Sequence, residues 1–149
     1  MEQQVQVVIP NDPAFIAVIR LAVSRMASLA GFPAGTIEEI TSGVEEAVRW
    51  IVDHAFPPGV ASDITLTCAI HADRFEVRIV EHGIPFDPET ASPALPRCRA
   101  VMDRIAFTNR GWAGKETLLA KGCRESAHPS GPPVPPASSG PVLVRPTLP

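Results

Sequence analysis

No stretch of apolar residues in this chain is long enough to cross a bilayer. The opening Met1-Glu2-Gln3-Gln4 lacks the basic start and apolar core of a signal peptide, so a cytoplasmic protein with no membrane contact is the expectation. Basic charge is scarce too: the formal net charge is −3, and direct nucleic-acid binding, which needs a clustered cationic surface, is not expected. Cysteine is limited to Cys68, Cys98 and Cys123, an odd number too widely spaced for a disulfide framework or a zinc site. Reduced structural thiols are the reading. What the chain has is apolar material, 45% hydrophobic against 19% charged, enough to fold. A length of 149 residues suits one core rather than two.

Residues 5–9 are mostly β-branched and end at Pro10-Asn11-Asp12-Pro13, which predicts a strand leading into a helix capped by Asn11 or Asp12. Phe15, Ile19, Ala22, Met26 and Leu29 recur at helical spacing, and Gly31 with Pro33 should end that helix. Thr36 and Glu39 have capping-box spacing, which predicts a second helix from Ile37 with Ile37, Ile40, Val44, Ala47, Val48 and Ile51 buried. Residues 63–71 and 74–81 alternate, with Ile64, Leu66, Cys68 and Ile70 and then Phe75, Val77 and Ile79 facing inward, as in a hairpin with one buried face. A proline-rich loop over residues 83–96 precedes a short helix carrying Val101 and Met102. A second hairpin is then expected, with strands at residues 105–108 and 116–120. Residues 1–122 thus read as one folded domain. Residues 123–149, interspersed with proline, serine and glycine, read as a linker or arm that could lead to a further domain, with Val142-Leu143-Val144-Arg145 apolar enough to start a strand.

Gly43, Glu46, Trp50 and His54 share one face of the second helix, turned from its most apolar stripe. Spacing alone fits a solvated face with an aromatic at its rim as well as a ligand site. His54 and His71 lack partners at metal-ligand spacing, and Ser42 and Ser92 have no histidine nearby in sequence. Arg97, Arg99 and Arg104 form a basic cluster, open to solvent or to an acidic protein partner.

Three segments in order carry a resemblance. Glu45-Glu46-Ala47-Val48-Arg49-Trp50-Ile51-Val52-Asp53-His54-Ala55-Phe56 resembles the asparagine-box helix of the GHKL ATPase and kinase superfamily. Val80-Glu81-His82-Gly83-Ile84-Pro85-Phe86-Asp87-Pro88 resembles its first glycine box, and residues 102–116 resemble its closing segment. Within the superfamily the chain looks most like the bacterial anti-sigma factor serine kinases. The resemblance implies an α+β fold, a two-layer sandwich with helices on one face of a mixed, mainly antiparallel sheet, and a nucleotide held between the second helix and the covering loop.

The same resemblance assigns roles, and here the chain departs from the family. Glu46 aligns with the glutamate that acts as general base in kinase members. Trp50 stands where the family has a magnesium-binding asparagine, and an indole offers one N–H and no oxygen. Glu81 replaces the aspartate that accepts the adenine amino group; Gly83 and Asp87 are kept. Ser92-Pro93-Ala94-Leu95 replaces a Gly-Leu-Gly-Leu phosphate cradle, so that Ala94 and Pro93 stiffen a loop that should expose amides. Gly114 and Thr117 complete the nucleotide-binding positions. Magnesium-ATP is therefore the implied cofactor, with binding expected to be weak or lost. The expected protein is a degenerate, pseudokinase-like regulator that binds a sigma factor or an anti-anti-sigma protein, with a homodimer among the implied arrangements. The alternative is an active ATP-dependent serine-protein kinase that phosphorylates such a partner.

Overall fold

The alternating segments pair as their periodicity predicts. A computed structural model describes residues 2–123, and the proline-rich arm and residues 142–145 lie outside the described residues. In chain order the elements are β1 (Gln3–Pro10), α1 (Ile16–Leu29), α2 (Ala34–His54), β2 (Asp63–Ile70), β3 (Arg74–Glu81), α3 (Pro88–Ala91), α4 (Pro96–Val101), β4 (Arg104–Asn109) and β5 (Lys115–Gly122). One five-stranded sheet has the order β1-β2-β3-β5-β4. Every pairing in it is antiparallel. Register places Val7, Leu66, Ile79, Thr117 and Phe107 in one row across the sheet, on the face that meets the helices. Ile64, Leu66, Cys68, Phe75, Val77, Ile79 and Leu119 are buried there in a single cluster with Ile40, Val44, Ala47, Val48 and Ile51 of α2. Each such aliphatic side chain contributes roughly 1.5–3 kcal/mol on leaving water.

The opposite sheet face carries charge. Glu76 is only 4% exposed, yet it sits among Arg74, Arg78 and His71, while Arg78 also reaches Glu116, which pairs with Arg110. Burial opposes ionisation of Glu76, but hydrogen bonds from Arg74 and His71 outweigh it and hold the carboxyl below its ordinary range.

Two helix expectations are corrected. The buried residues of α1 are Ile16, Ile19, Val23, Met26 and Ala27. Phe15 and Leu29 are instead 41% and 54% exposed. Because the apolar arc of α1, which leaves only the side of Arg20, Ser24, Arg25 and Ser28 polar, is wider than the face that packs, helical spacing fits more than one stripe and does not choose the buried face. The second helix starts at Ala34 rather than Ile37, with extended Pro33 as its cap (φ −68°, ψ 157°) and no side-chain capping bond. The Pro33 carbonyl accepts from the Ile37 amide at 2.9 Å, so helical bonding has begun a turn before Ile37 and the Thr36–Glu39 pair lies inside the helix rather than at its cap. The end of α1 is as expected, with Gly31 at φ 92°. Asp12 caps the turn before α1, accepting from the Ala14 amide at 2.9 Å. No described helix is long and apolar enough to cross a membrane.

Candidate functional site

The C-terminal half of α2, the loop after β3, α4 and the start of β5 converge on the positions named from sequence. Gly43 sets how near α4 can come. A methyl group there would lie 3.0 Å from Val101 Cγ1 and 3.2 Å from the Cα of Cys98, so the glycine allows α4 to pack directly on α2. One turn further on, Glu46 Oε1 accepts from the amides of Arg97 at 3.0 Å and Cys98 at 3.2 Å. These are among the free N–H groups at the start of α4, so the carboxylate caps that helix. Cys98 lies beside it, and burial first, then the Glu46 charge, pushes its thiol up to about 12. Burial does the same to Cys68. Both remain protonated at neutral pH, as structural thiols do.

The cap gives a direct prediction. Glu46→Ala should destabilise the fold by about 1–2 kcal/mol, whereas Glu46→Gln, which keeps an acceptor oxygen, should cost less than half as much. Urea denaturation checks this through the midpoint at unchanged slope.

Trp50 follows Glu46 on the same face. Its ring stacks on His54 with centroids 4.6 Å apart and meets Phe86 edge-on at 4.7 Å. Phe86 in turn meets Phe107 of β4 edge-on at 5.6 Å. A row of aromatic rings thus runs from α2 through the loop to the sheet, in the edge geometry that ring quadrupoles favour.

Glu81 ends β3 and is 1% exposed. Its Oε2 accepts from the Gly83 amide at 2.6 Å. Its Oε1 lies 2.9 Å from the ammonium of Lys115. The extra methylene of glutamate over aspartate is absorbed by folding the carboxylate back onto its own loop. Gly83 is needed for space, since a Cβ would meet the Ala55 carbonyl oxygen at 2.2 Å. That same oxygen accepts from Ile84 at 2.6 Å, so the loop is tied to the end of α2.

The remaining predicted positions scatter. Asp87 caps α3, accepting from Glu89 at 3.0 Å. Ala94 is exposed in the turn before α4, and Thr117 is buried in β5 opposite Ile79 and Phe107. Gly114, at φ 101°, turns the chain beside His82 and Glu81. The structure therefore groups Trp50, Glu81, Gly83 and Gly114 around Phe86 and Lys115, while Glu46 faces α4. Sequence reasoning missed Lys115 and Phe86 as site residues. Lys115 meets Glu81 through the β3–β5 pairing of strands that are not consecutive in the chain, which local periodicity does not signal.

The residues do not fit a magnesium-bound triphosphate. At the metal position the indole has no oxygen to offer a hard cation. At the phosphate position residues 92–95 close into a tight turn, in which Pro93 has no amide to offer and the Leu95 amide already donates to the Ser92 carbonyl at 3.2 Å.

Comparison with known proteins agrees with the fold. Serine-protein kinase RsbW of Listeria monocytogenes is 36% identical over 90 residues, covering 60% of this chain and 57% of that protein. Serine-protein kinase RsbW of Bacillus cereus is 31% identical over 85 residues, covering 57% of this chain and 52% of that protein. The matched region spans little more than half the length of these relatives. The family model for the histidine kinase-like ATPase domain matches residues 9–116, well over half the chain. The five-stranded sheet, its helical layer and this match together make the chain a member of the histidine kinase-like ATPase domain family.

Proposed function

We propose that the chain is a regulatory binding module that keeps the scaffold of a serine-protein kinase and holds a protein partner without using ATP. The observation that carries this reading is the aromatic row Trp50–Phe86–Phe107, whose first contact joins α2 to the covering loop, between which the resemblance would put a nucleotide. The cap from Glu46 to α4 supports it, because it engages the side chain that would act as base. By resemblance the partner is a sigma factor or an anti-anti-sigma protein in the cytoplasm, bound by one chain or by a homodimer.

The kinase names of the relatives favour a second reading, in which the chain still transfers phosphate to a partner serine with Glu46 as base. Trp50→Asn separates the two. Restoring one amide oxygen leaves the capped α4 and the Ser92-Pro93-Ala94-Leu95 turn in place, so labelled phosphate transfer from ATP should stay at background in wild type and variant alike. Transfer above background by either protein to an anti-anti-sigma partner would overturn the binding-module reading.

A further inference from the structure

A lysine at the first position of a strand ordinarily reaches water, because a charged group loses hydration on burial. Lys115 does the opposite. It opens β5 in register with Glu81, and the two residues are 7% and 1% exposed. The ammonium turns inward, 2.9 Å from Glu81 Oε1 and 4.6 Å from the centroid of the Phe86 ring, and donates to the Ile84 carbonyl. A carboxylate, a carbonyl and an aromatic face are the three kinds of group that replace water around an ammonium.

The pocket is built without help from the lysine. Glu81 Oε2 is fixed by the Gly83 amide, and Ile84 is fixed by its bond to the Ala55 carbonyl. Phe86 is braced by Trp50 on one side and Phe107 on the other. Glu81 Oε1, by contrast, is buried and accepts no aligned hydrogen bond, so the nearby positive charge is what compensates it.

We propose that Glu81, the Ile84 carbonyl and the Phe86 ring form an ammonium-binding site whose resident ligand is the chain's own Lys115. The internal cation closes the base end of the cleft, and the site accepts a primary ammonium ion when the lysine is cut back. This rests on the reading that the cleft takes no nucleotide, and adds to it what fills the cleft instead. The ring row blocks the α2 side; Lys115 blocks the β3–β5 side.

Lys115→Ala removes the atoms from Cγ to Nζ, which are the size and shape of n-propylammonium. Melting curves are to be recorded for wild type and variant in millimolar n-propylammonium, n-propanol and tetramethylammonium. The variant should melt about 10 °C or more below wild type. Propylammonium should raise its midpoint in a concentration-dependent way, as ligand linkage requires. Propanol, which lacks the charge, and tetramethylammonium, which lacks N–H donors, should not, and wild type should respond to none of them. Equal responses to propanol and propylammonium, or a variant that melts like wild type, would overturn the proposal.

Should Lys115→Ala not fold, the wild-type protein labelled with nitrogen-15 lysine provides the same test. Its Lys115 ammonium signal, assigned by its loss in Lys115→Met, should persist near neutral pH because burial slows proton exchange with water. A signal lost to exchange would overturn the site. Magnesium-ATP binding by wild type would contradict the nucleotide-free reading. An absent amine response without ATP binding would contradict the ammonium site alone.

Discussion

Replacing Gly83 with alanine is expected to destabilise the fold by about 3 kcal/mol, at the upper end of what overpacking costs. The conformation of Gly83 is not the reason, since its φ is not among the positive ones. Space is the reason. The added methyl would sit 2.2 Å from the Ala55 carbonyl oxygen and 2.8 Å from Glu81 Oε2. The nearer of these is backbone at the end of α2 and has no rotamer by which to move aside. Relief would require drawing the loop off the helix, which would break the Ile84-to-Ala55 hydrogen bond and the Gly83-to-Glu81 hydrogen bond together. Guanidinium denaturation should show the loss. A midpoint within error of wild type would mean that the loop does not lie against α2.

Glu81→Ala is expected to cost about 3–5 kcal/mol, the range for removing one partner of a buried ion pair. The loss leaves the Lys115 ammonium, 7% exposed, with a carbonyl and a ring face but no counter-charge, and leaves the Gly83 amide without its acceptor. Adding Lys115→Met to Glu81→Ala should recover part of the stability, because the uncompensated charge is then gone and an apolar chain of similar length fills its path. A double-mutant cycle measures this coupling. Additive effects of the two substitutions would show that the pair does not interact.

Much of the fold was legible because period-two alternation and proline–glycine stops agree with each other. Residues 63–71 and 74–81 gave the β2–β3 hairpin and its inward face, and the apolar stripe of α2 from Ile40 to Ile51 is buried as read. What misled was local ambiguity. In α1 the apolar arc is wider than the face that packs, so the spacing picked out Phe15 and Leu29, which are exposed, and passed over Ile16 and Val23, which are buried. At α2 the capping pair pointed to a start at Ile37, but helical bonding begins a turn earlier, from the Pro33 carbonyl.

The site was legible in a different measure. Helical spacing put Gly43, Glu46, Trp50 and His54 on one face, and the structure keeps them there, with Gly43 and Glu46 against α4 and Trp50 against His54. What spacing could not give was the partner of Glu46, because Arg97 and Cys98 lie more than fifty residues further along the chain. Nor could it give the destination of Lys115, since the usual assumption for a lysine at a strand start is exposure. Asp87 read as a ligand position but caps a short helix, a role that aspartate before proline fills from purely local geometry.

Calorimetric titration of the wild-type chain with ATP and magnesium tests the central claim most directly. With Trp50 at the position the resemblance gives to a metal-binding asparagine, Glu46 engaged by α4 and Lys115 paired with Glu81, no binding heat and no rise in melting temperature are predicted at millimolar nucleotide. Saturable micromolar binding that disappears in Glu81→Gln would contradict it.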